Sequence, residues 1–319
     1  MFSVIIPLYN KAAYIEKAIR SVLNQTYQEF ELIIVDDGST DESLKIAKNV
    51  MSFLSPPLGG WGVTHQQNQG VSTARNNGVK AAKYDYIAFL DADDWWEPTY
   101  LEEMKQLILD FPQAGIYGSS YYKVKNGRFI PANIGVDAGF ERGEINYFKA
   151  YSKTFWMPLT SISVVIKKTV FNSENGFKPM LKLGEDFDLW VRIAMKHTVA
   201  LVNKPLAFYN QDVESVNRAV GLKLYEPSQN MLFIDYSDFR EDADFRYLFE
   251  RLSVYSLLPY YLTRKNKAKV DAILSEIDWN KHEFKYRIYY KICPKWVVIF
   301  WFKFLKIASQ IKQSLLSKK

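Results

Sequence analysis

The 319-residue sequence contains one cysteine, Cys293, and three histidines. A lone cysteine excludes an internal disulfide and any multi-cysteine metal site. His65, His197 and His282 show no metal-ligand spacing, so each is expected to serve structure. No Gly-x-Gly-x-x-Gly follows the first apolar run and no Gly-Lys-Ser/Thr phosphate loop occurs, which argues against a nicotinamide enzyme and a nucleoside triphosphatase. No Ser-His-Asp or Cys-His arrangement is visible, nor any internal repeat or low-complexity tract. The segment Met1–Pro7 lacks the basic start and the apolar length of a signal peptide and reads as a first strand, from which a cytoplasmic location is expected. The seven apolar residues Trp296–Phe302 are too few to span a bilayer.

What is present suffices for a packed core, since 48% of residues are hydrophobic and 16% aromatic. An apolar run at Ser3–Pro7 is followed by Ile15, Ala18, Ile19, Val22 and Leu23 at helical spacing. A second strand is predicted over Phe30–Val35, and Ser39 with Glu42 has capping-box spacing, placing a helix at about Asp41–Val50. A loop at Ser52–Gly62, a short strand at Val63–His65, a helix over Val71–Lys83 and a strand at Tyr84–Leu90 follow. This alternation predicts an α/β fold, a mostly parallel Rossmann-like sheet flanked by helices. Further on, a helix from Pro98 to Asp110 and strands at Ile116–Tyr122 and Arg128–Ile130 joined by Asn126-Gly127 are expected. A strand at Ser161–Ile166 and a helix over Phe187–Met195 come next, and past Asn210 the alternation fades into mixed helix.

Polar residues gather where strands should end. They are Pro7-Leu8-Tyr9-Asn10, Asp36-Asp37-Gly38-Ser39, Asn68–Asn76 at a helix start, and Asp91-Ala92-Asp93-Asp94. Adjacent parallel strands bring their carboxyl ends together, so these groups can share one pocket. Three carboxylates within Asp91–Asp94 repel one another unless a cation or hydrogen-bond donors offset them. One reading makes this stretch a metal site, with Asp91 and Asp93 holding Mg²⁺ or Mn²⁺ against nucleotide phosphates. The other makes it a solvated turn capping the helix near Pro98. Asp94 is assigned to that cap, and of Trp95 and Trp96 one is expected in the core while a tryptophan here could stack on a sugar or base.

The net charge of +6 is unevenly placed. Lys281–Lys319 holds ten Lys or Arg and one acid, Glu283, a net +9 that leaves −3 for the first 280 residues. On a helix, Val297, Phe300, Trp301, Phe304, Ala308, Ile311 and Leu315 would share one face, opposite Lys303, Lys306, Gln310 and Gln313. With Lys291, Lys295, Lys318 and Lys319, residues 291–319 read as an interfacial helix for anionic lipid. Packing of that face on its own domain or on another subunit is the alternative. Nucleic acid is disfavoured because the basic residues lie beside an apolar face.

Together the runs Ser3–Asn10, Ser21–Tyr27, Ile34–Asp41 and Asn68–Asn76, the Asp91-x-Asp93 element and Gly184-Glu185-Asp186-Phe187-Asp188-Leu189-Trp190 resemble family-2 glycosyltransferases of the GT-A fold. The resemblance spans roughly residues 1–212. It implies a GT-A domain over 1–212, its nucleotide-binding half at about 1–115 and its acceptor half at about 116–212. A helical extension over 213–280 and a basic amphipathic tail over 281–319 follow. It further implies that Pro7, Tyr9 and Asp36 hold the nucleoside, that Arg75 lies near the phosphates or ribose, and that Asp91 contacts ribose or metal. By the same resemblance Asp93 would be the principal metal ligand and Asp186 the catalytic base, with Glu185 positioning the acceptor or supporting that base. Some relatives carry a further histidine ligand where this chain has Tyr209-Asn210-Gln211-Asp212. The implied activity is inverting transfer of a sugar from a nucleotide-sugar, uridine-linked, to a glycan or lipid-linked acceptor at the inner face of a cell membrane. Competing readings are a non-catalytic nucleotide- or membrane-binding scaffold and a sugar nucleotidyltransferase.

Overall fold

All seven positions of strand β1 (Phe2–Leu8) are buried. Helix α1 (Ile15–Leu23) buries Ile15, Ala18, Ile19 and Val22, the face its spacing predicts. Strand β2 (Phe30–Asp36) is buried throughout like β1, as parallel strands covered on both faces must be. Helix α2 (Ser43–Phe53), strand β3 (Trp61–His65), helix α3 (Val71–Ala81) and strand β4 (Tyr86–Phe89) complete the predicted alternation. In this computed structural model, which describes residues 1–213 and 224–301, β1 lies between β2 and β4, and β3 flanks β2, all parallel. The connection after β1 runs to β2, while that after β3 crosses back to β4 on the far side of β1, and a crevice opens at the carboxyl ends there.

The second half contributes β5 (Trp95–Trp96), α4 (Tyr100–Asp110), β6 (Ile116–Lys125), β7 (Arg128–Pro131), β8 (Arg142–Ile145), α5 (Tyr147–Thr154), β9 (Val164–Lys167), α6 (Lys168–Ser173), α7 (Glu185–Ala194) and β10 (Val199–Asn210). The sheet continues β4-β9-β6-β10-β5. Strand β9 runs antiparallel to both β4 and β6, while β10 is parallel to β6 and antiparallel to β5 and β8. The expected parallel sheet is therefore that of the first half, and the second half is mixed. Asn126 and Gly127 adopt φ 51° and 68° between the paired residues Lys125 and Arg128, the two-residue hairpin the sequence signals.

Three local expectations are corrected. The Ser39–Glu42 capping box does not form: Ser39 Oγ accepts from Asn10 N, and α2 starts at Ser43, whose amide donates to Asp41 Oδ1 at 3.0 Å. The neighbouring strand exit thus competes for the serine. Asp94 does not cap α4, because the chain first forms β5 against β10 and the helix begins after Thr99. Residues Ser161–Ser163 form a single 3-10 turn, held by reciprocal Thr160–Ser163 bonds, and only Val164–Lys167 is extended.

The chain divides into two compact units, Met1–Ile234 and a second beginning at Asp235. In the first, Leu183 pairs with Asn230 and Met231 lies against Gly184. The second contains helices α8 (Ala243–Ser256), α9 (Leu258–Thr263), α10 (Lys267–Ser275) and α11 (Phe284–Arg287). Of the predicted amphipathic tail face only Val297, Phe300 and Trp301 fall among the described residues.

Candidate active site

The exits of β1 and β2 are laced together. Leu8 and Asp36 are in register, Asn10 N donates to Ser39 Oγ at 3.2 Å, and Thr40 N donates to Asn10 Oδ1 at 2.8 Å. Asp36 is buried, with Oδ2 2.6 Å from His65 Nδ1 and Oδ1 accepting from Ser39 N at 3.3 Å. Asp37, also buried, accepts from Gln66 Nε2, Gln69 N and Gly70 N, each at 2.8 Å. That carboxylate ties the turn before α3 to the end of β2 and so fixes where α3 begins. Pro7 is buried in β1, whereas Tyr9 is 46% exposed at the same exit.

On the other side of the switch point the acidic stretch leaves β4. Arg75, buried on α3, donates from Nη2 to Asp91 Oδ1 at 2.7 Å and from Nη1 to Glu185 Oε1 at 3.2 Å, with its guanidinium 5.2 Å from the Phe177 ring centroid. One side chain thus joins the acidic exit of β4 to the start of α7. Asp93 Oδ2 pairs with Lys11 Nζ at 2.7 Å. Burial pushes the Asp93 carboxyl up, Lys11 opposes it and the Asp91 charge adds to the rise. Asp94 is buried and accepts from Asn210 N at 2.7 Å. Burial and the charges of Asp93 and Asp91 hold its carboxyl well above the usual range.

Helix α7 is positioned with equal care. Gly184, at φ +76°, precedes it, and a Cβ there would lie 2.3 Å from Met231 Cγ, so backbone angle and space both demand glycine. Asn76 on α3 exchanges two bonds with the Phe177 backbone, at 2.8 and 3.0 Å. Asp188 is fully buried, accepting from Lys178 Nζ at 2.8 Å and from Arg192 Nε and Nη2 at 3.0 and 2.7 Å. This lock presents Asp186, half-buried, at the first turn. Burial and the adjacent Glu185 charge push its carboxyl up to about 7, against the pull of Arg75 and a bond from Phe187 N. Tyr121 and Tyr151 stand nearby, their phenols pushed up by burial and then by surrounding charges that include Asp186. Trp96 is buried, donating to Ile162 O at 2.6 Å and stacked on Tyr100. Trp95 stacks on Phe208 at 5.1 Å and carries the Lys17 ammonium over its ring.

The structure therefore brings Arg75, Asp91, Glu185 and Asp186 into one cluster, with Asp93 beside it, and sets Pro7, Tyr9 and Asp36 along the neighbouring strand exits. Sequence reasoning missed Lys11, named Asp37 only as part of the second strand-exit cluster, and gave His65 a structural role without its partner. His65 had a signal in the strand order, since a third parallel strand puts its end beside Asp36. Among the described residues no group of three or more His, Cys, Asp or Glu side chains is arranged to hold a metal. The donor set still fits a hard cation: Asp91 and Asp93 are carboxylates, and each ion pair engages one oxygen of each.

The family model described as Glycosyl transferase family 2 matches residues 3–166. An uncharacterized glycosyltransferase of Rickettsia felis is 34% identical over 215 residues, 64% of this chain and 32% of that protein. Glycosyltransferase GlyG of Streptococcus pneumoniae serotype 4 is 29% identical over 231 residues, 69% of this chain and 72% of GlyG. The match thus spans about a third of the first relative, as the 32% shows. Among solved structures, S. aureus TarS 1-349 in complex with UDP-GlcNAc aligns with a TM-score of 0.66 at 18% identity, over 86% of this chain and 80% of that one. Mannosyltransferase PcManGT from Pyrobaculum calidifontis, in complex with GDP-Man and Mn²⁺, aligns at 0.54 with 16% identity, over 91% and 83%. At these identities the likeness shows the fold, a GT-A-like mixed α/β sheet flanked by helices with a helical C-terminal region.

Proposed function

Because the chain belongs to glycosyl transferase family 2, we propose that it transfers a sugar from a nucleotide-sugar, uridine-linked, to a hydroxyl of a glycan or lipid-linked acceptor, inverting the anomeric centre. The observation that carries this reading is the Arg75 bridge. By holding Asp91 and Glu185 together it puts a carboxylate suited to the donor beside the carboxyl suited to proton transfer. The nucleoside would lie along Pro7, Tyr9 and Asp36, with the exposed Tyr9 ring available to a base. Arg75 positions both carboxylates, one bond from each Nη, and with further N–H donors remaining it would lie near the phosphates or ribose.

A sugar hydroxyl is a weak nucleophile, so Asp186 accepts its proton as the acceptor oxygen bonds to the anomeric carbon. The bond from that carbon to the phosphate oxygen breaks, and the nucleoside diphosphate leaves with the electron pair. Asp93, with Asp91, would hold Mn²⁺ or Mg²⁺, which when bound neutralises the diphosphate. Glu185 keeps Arg75 in place and its charge holds Asp186 basic. Exposed Phe284, Ile292, Trp296 and Phe300, with the basic residues around them, support a peripheral contact with anionic lipid at the inner membrane face. Among the described residues no helix is long and apolar enough to cross a membrane.

Calorimetric titration with UDP and GDP in the presence of Mn²⁺, followed by a screen of sugar donors for nucleoside diphosphate release, tests the reading. Wild-type protein should bind one of the two and Asp93→Ala should not. Silence of both proteins would reject a nucleotide-sugar site, and release of pyrophosphate would point to nucleotidyl transfer.

A further inference from the structure

Asp93, the carboxylate assigned to the metal, already holds a cation of the protein's own. Lys11 Nζ sits 2.7 Å from Asp93 Oδ2, across the switch point from β1 to β4, and the two side chains are 16% and 19% exposed. The lysine backbone is pinned: its N–H donates to Ser43 Oγ at 2.7 Å, and its carbonyl accepts from Tyr14 N and Ile15 N at 2.9 and 3.0 Å. Any rearrangement of Lys11 is therefore one of its side chain. Asp91 pairs in turn with Arg75, which is buried and shares its one charge with Glu185. Lys11 and Arg75 together offset two of the three charges on Asp91, Asp93 and Glu185, which weakens the pull on a dication arriving alone, and an ammonium already occupies the Asp93 oxygen that the dication would use.

A nucleoside diphosphate changes that balance, because it brings negative oxygens of its own to the crevice where Lys11 ends. We propose that Lys11 is a counter-ion lock on Asp93, which keeps divalent metal off the free protein and moves to the donor diphosphate when nucleotide and metal enter together. The lock rests on the nucleotide-sugar reading of the site. It makes Lys11 a ligand of the leaving group that the acidic motif alone does not reveal, and it makes metal loading conditional on donor. Arg75, itself buried and shared between the partly buried Asp91 and Glu185, is less able to leave its partners than Lys11.

The test compares the full wild-type chain with Lys11→Met and Lys11→Gln, two neutral replacements, each checked for folding by circular dichroism. Free Mn²⁺ is read from its paramagnetic resonance signal, without nucleotide and then with saturating UDP or GDP, and nucleotide affinity is read by calorimetry. Without nucleotide, either folded variant should bind Mn²⁺ at least about tenfold more tightly than wild type, the loss of one charge-assisted pair. With Mn²⁺ present, the same variant should bind the nucleotide about tenfold more weakly. Equal Mn²⁺ affinity in wild type and variant would overturn the lock while leaving the nucleotide site standing. Nucleotide binding that ignores Mn²⁺ but needs Lys11 would also overturn it, since Lys11 would then replace the metal permanently. Failure of wild type to bind either nucleotide would instead reject the underlying reading of the site, and with it the second half of the proposal.

Discussion

A carboxyl group that exchanges protons near neutral pH must be enclosed enough to resist ionisation and open enough to meet its substrate. Asp186 satisfies both, half-buried at a helix start with its carboxyl raised from the ordinary 3.8 to about 7 by burial and by Glu185. In its proposed role as base Asp186 must be deprotonated, so kcat/KM should rise with pH and level off above about 7. The same shift bears on stability with the opposite sign. The folded state binds the Asp186 proton more tightly than the unfolded chain does, so this contribution is whole below the ordinary value and is lost as pH rises through about 7. Asp186→Asn should abolish transfer at every pH yet flatten the fall of the melting midpoint across that window. An unchanged slope in the melts would show that another group titrates. Asp188, two residues on, is locked between Lys178 and Arg192. Asp188→Ala strands the Arg192 charge and should cost ~2–4 kcal/mol in urea unfolding, at the lower end of a broken buried pair because Lys178 is partly exposed. A cost below ~0.5 kcal/mol, the range of ordinary surface changes, would mean that the carboxylate does not secure α7. Asp91 and Asp93 stood out as acids clustered at the end of an apolar run, whereas Glu185 and Asp186 were picked out only through the family resemblance. Lys11 was not legible, and the bonds of Asp37 were not, because their partners lie far along the chain: Asp93 for Lys11, and the turn before α3 for Asp37.

Whole elements were easier to foresee than their ends. Period-2 and period-3.6 patterns place β1, α1, β2, α3, β4 and α7 within a few residues of where they occur, and Asn-Gly fixes the β6–β7 hairpin. The ends fail where a polar side chain has a choice of partners. Ser39 serves Asn10 instead of α2, and Thr160 with Ser163 curls the chain before β9. The contact between α3 and β1 shows a second limit. A Cβ on Gly78 would lie 2.4 Å from Ile5 Cγ2 and 3.2 Å from Ile5 Cγ1, in the middle of the buried parallel sheet. Alanine gains ~1 kcal/mol of helix propensity over glycine. Overpacking costs ~1–3 kcal/mol, and the branched Ile5 has no flexible end to withdraw. Gly78→Ala should therefore lower the urea midpoint, and a raised midpoint would show that α3 can lift off β1 without loss. Because α3 also carries Arg75, the substitution should weaken nucleotide binding in the same variant.

Across the whole molecule the charge distribution separates two tasks. The first 280 residues carry −3 and hold the site; the remainder carries +9. A parallel first half creates the crevice and a mixed second half supplies Tyr121 and, through the segment after β9, the Asp186 helix. That split could not be read from the sequence, because an inserted antiparallel strand such as β9 is written in the same apolar residues as a parallel one. In the second unit, Trp296 and Phe300 are 72% and 69% exposed, with Lys291 and Lys295 close in sequence. Aromatics of this kind insert at a lipid interface while lysines meet anionic headgroups, and only the second term is screened by salt. The full chain should accordingly float with vesicles rich in anionic phospholipid and less with zwitterionic ones, and raising the salt to about 0.5 M should reduce the flotation without eliminating it. Trp296→Glu combined with Phe300→Glu should remove the salt-resistant part while transfer to a soluble acceptor continues, since neither residue belongs to the first unit. Equal flotation of the variant and the wild type would leave the basic residues as a purely electrostatic contact, and no flotation of either would reject the membrane surface altogether.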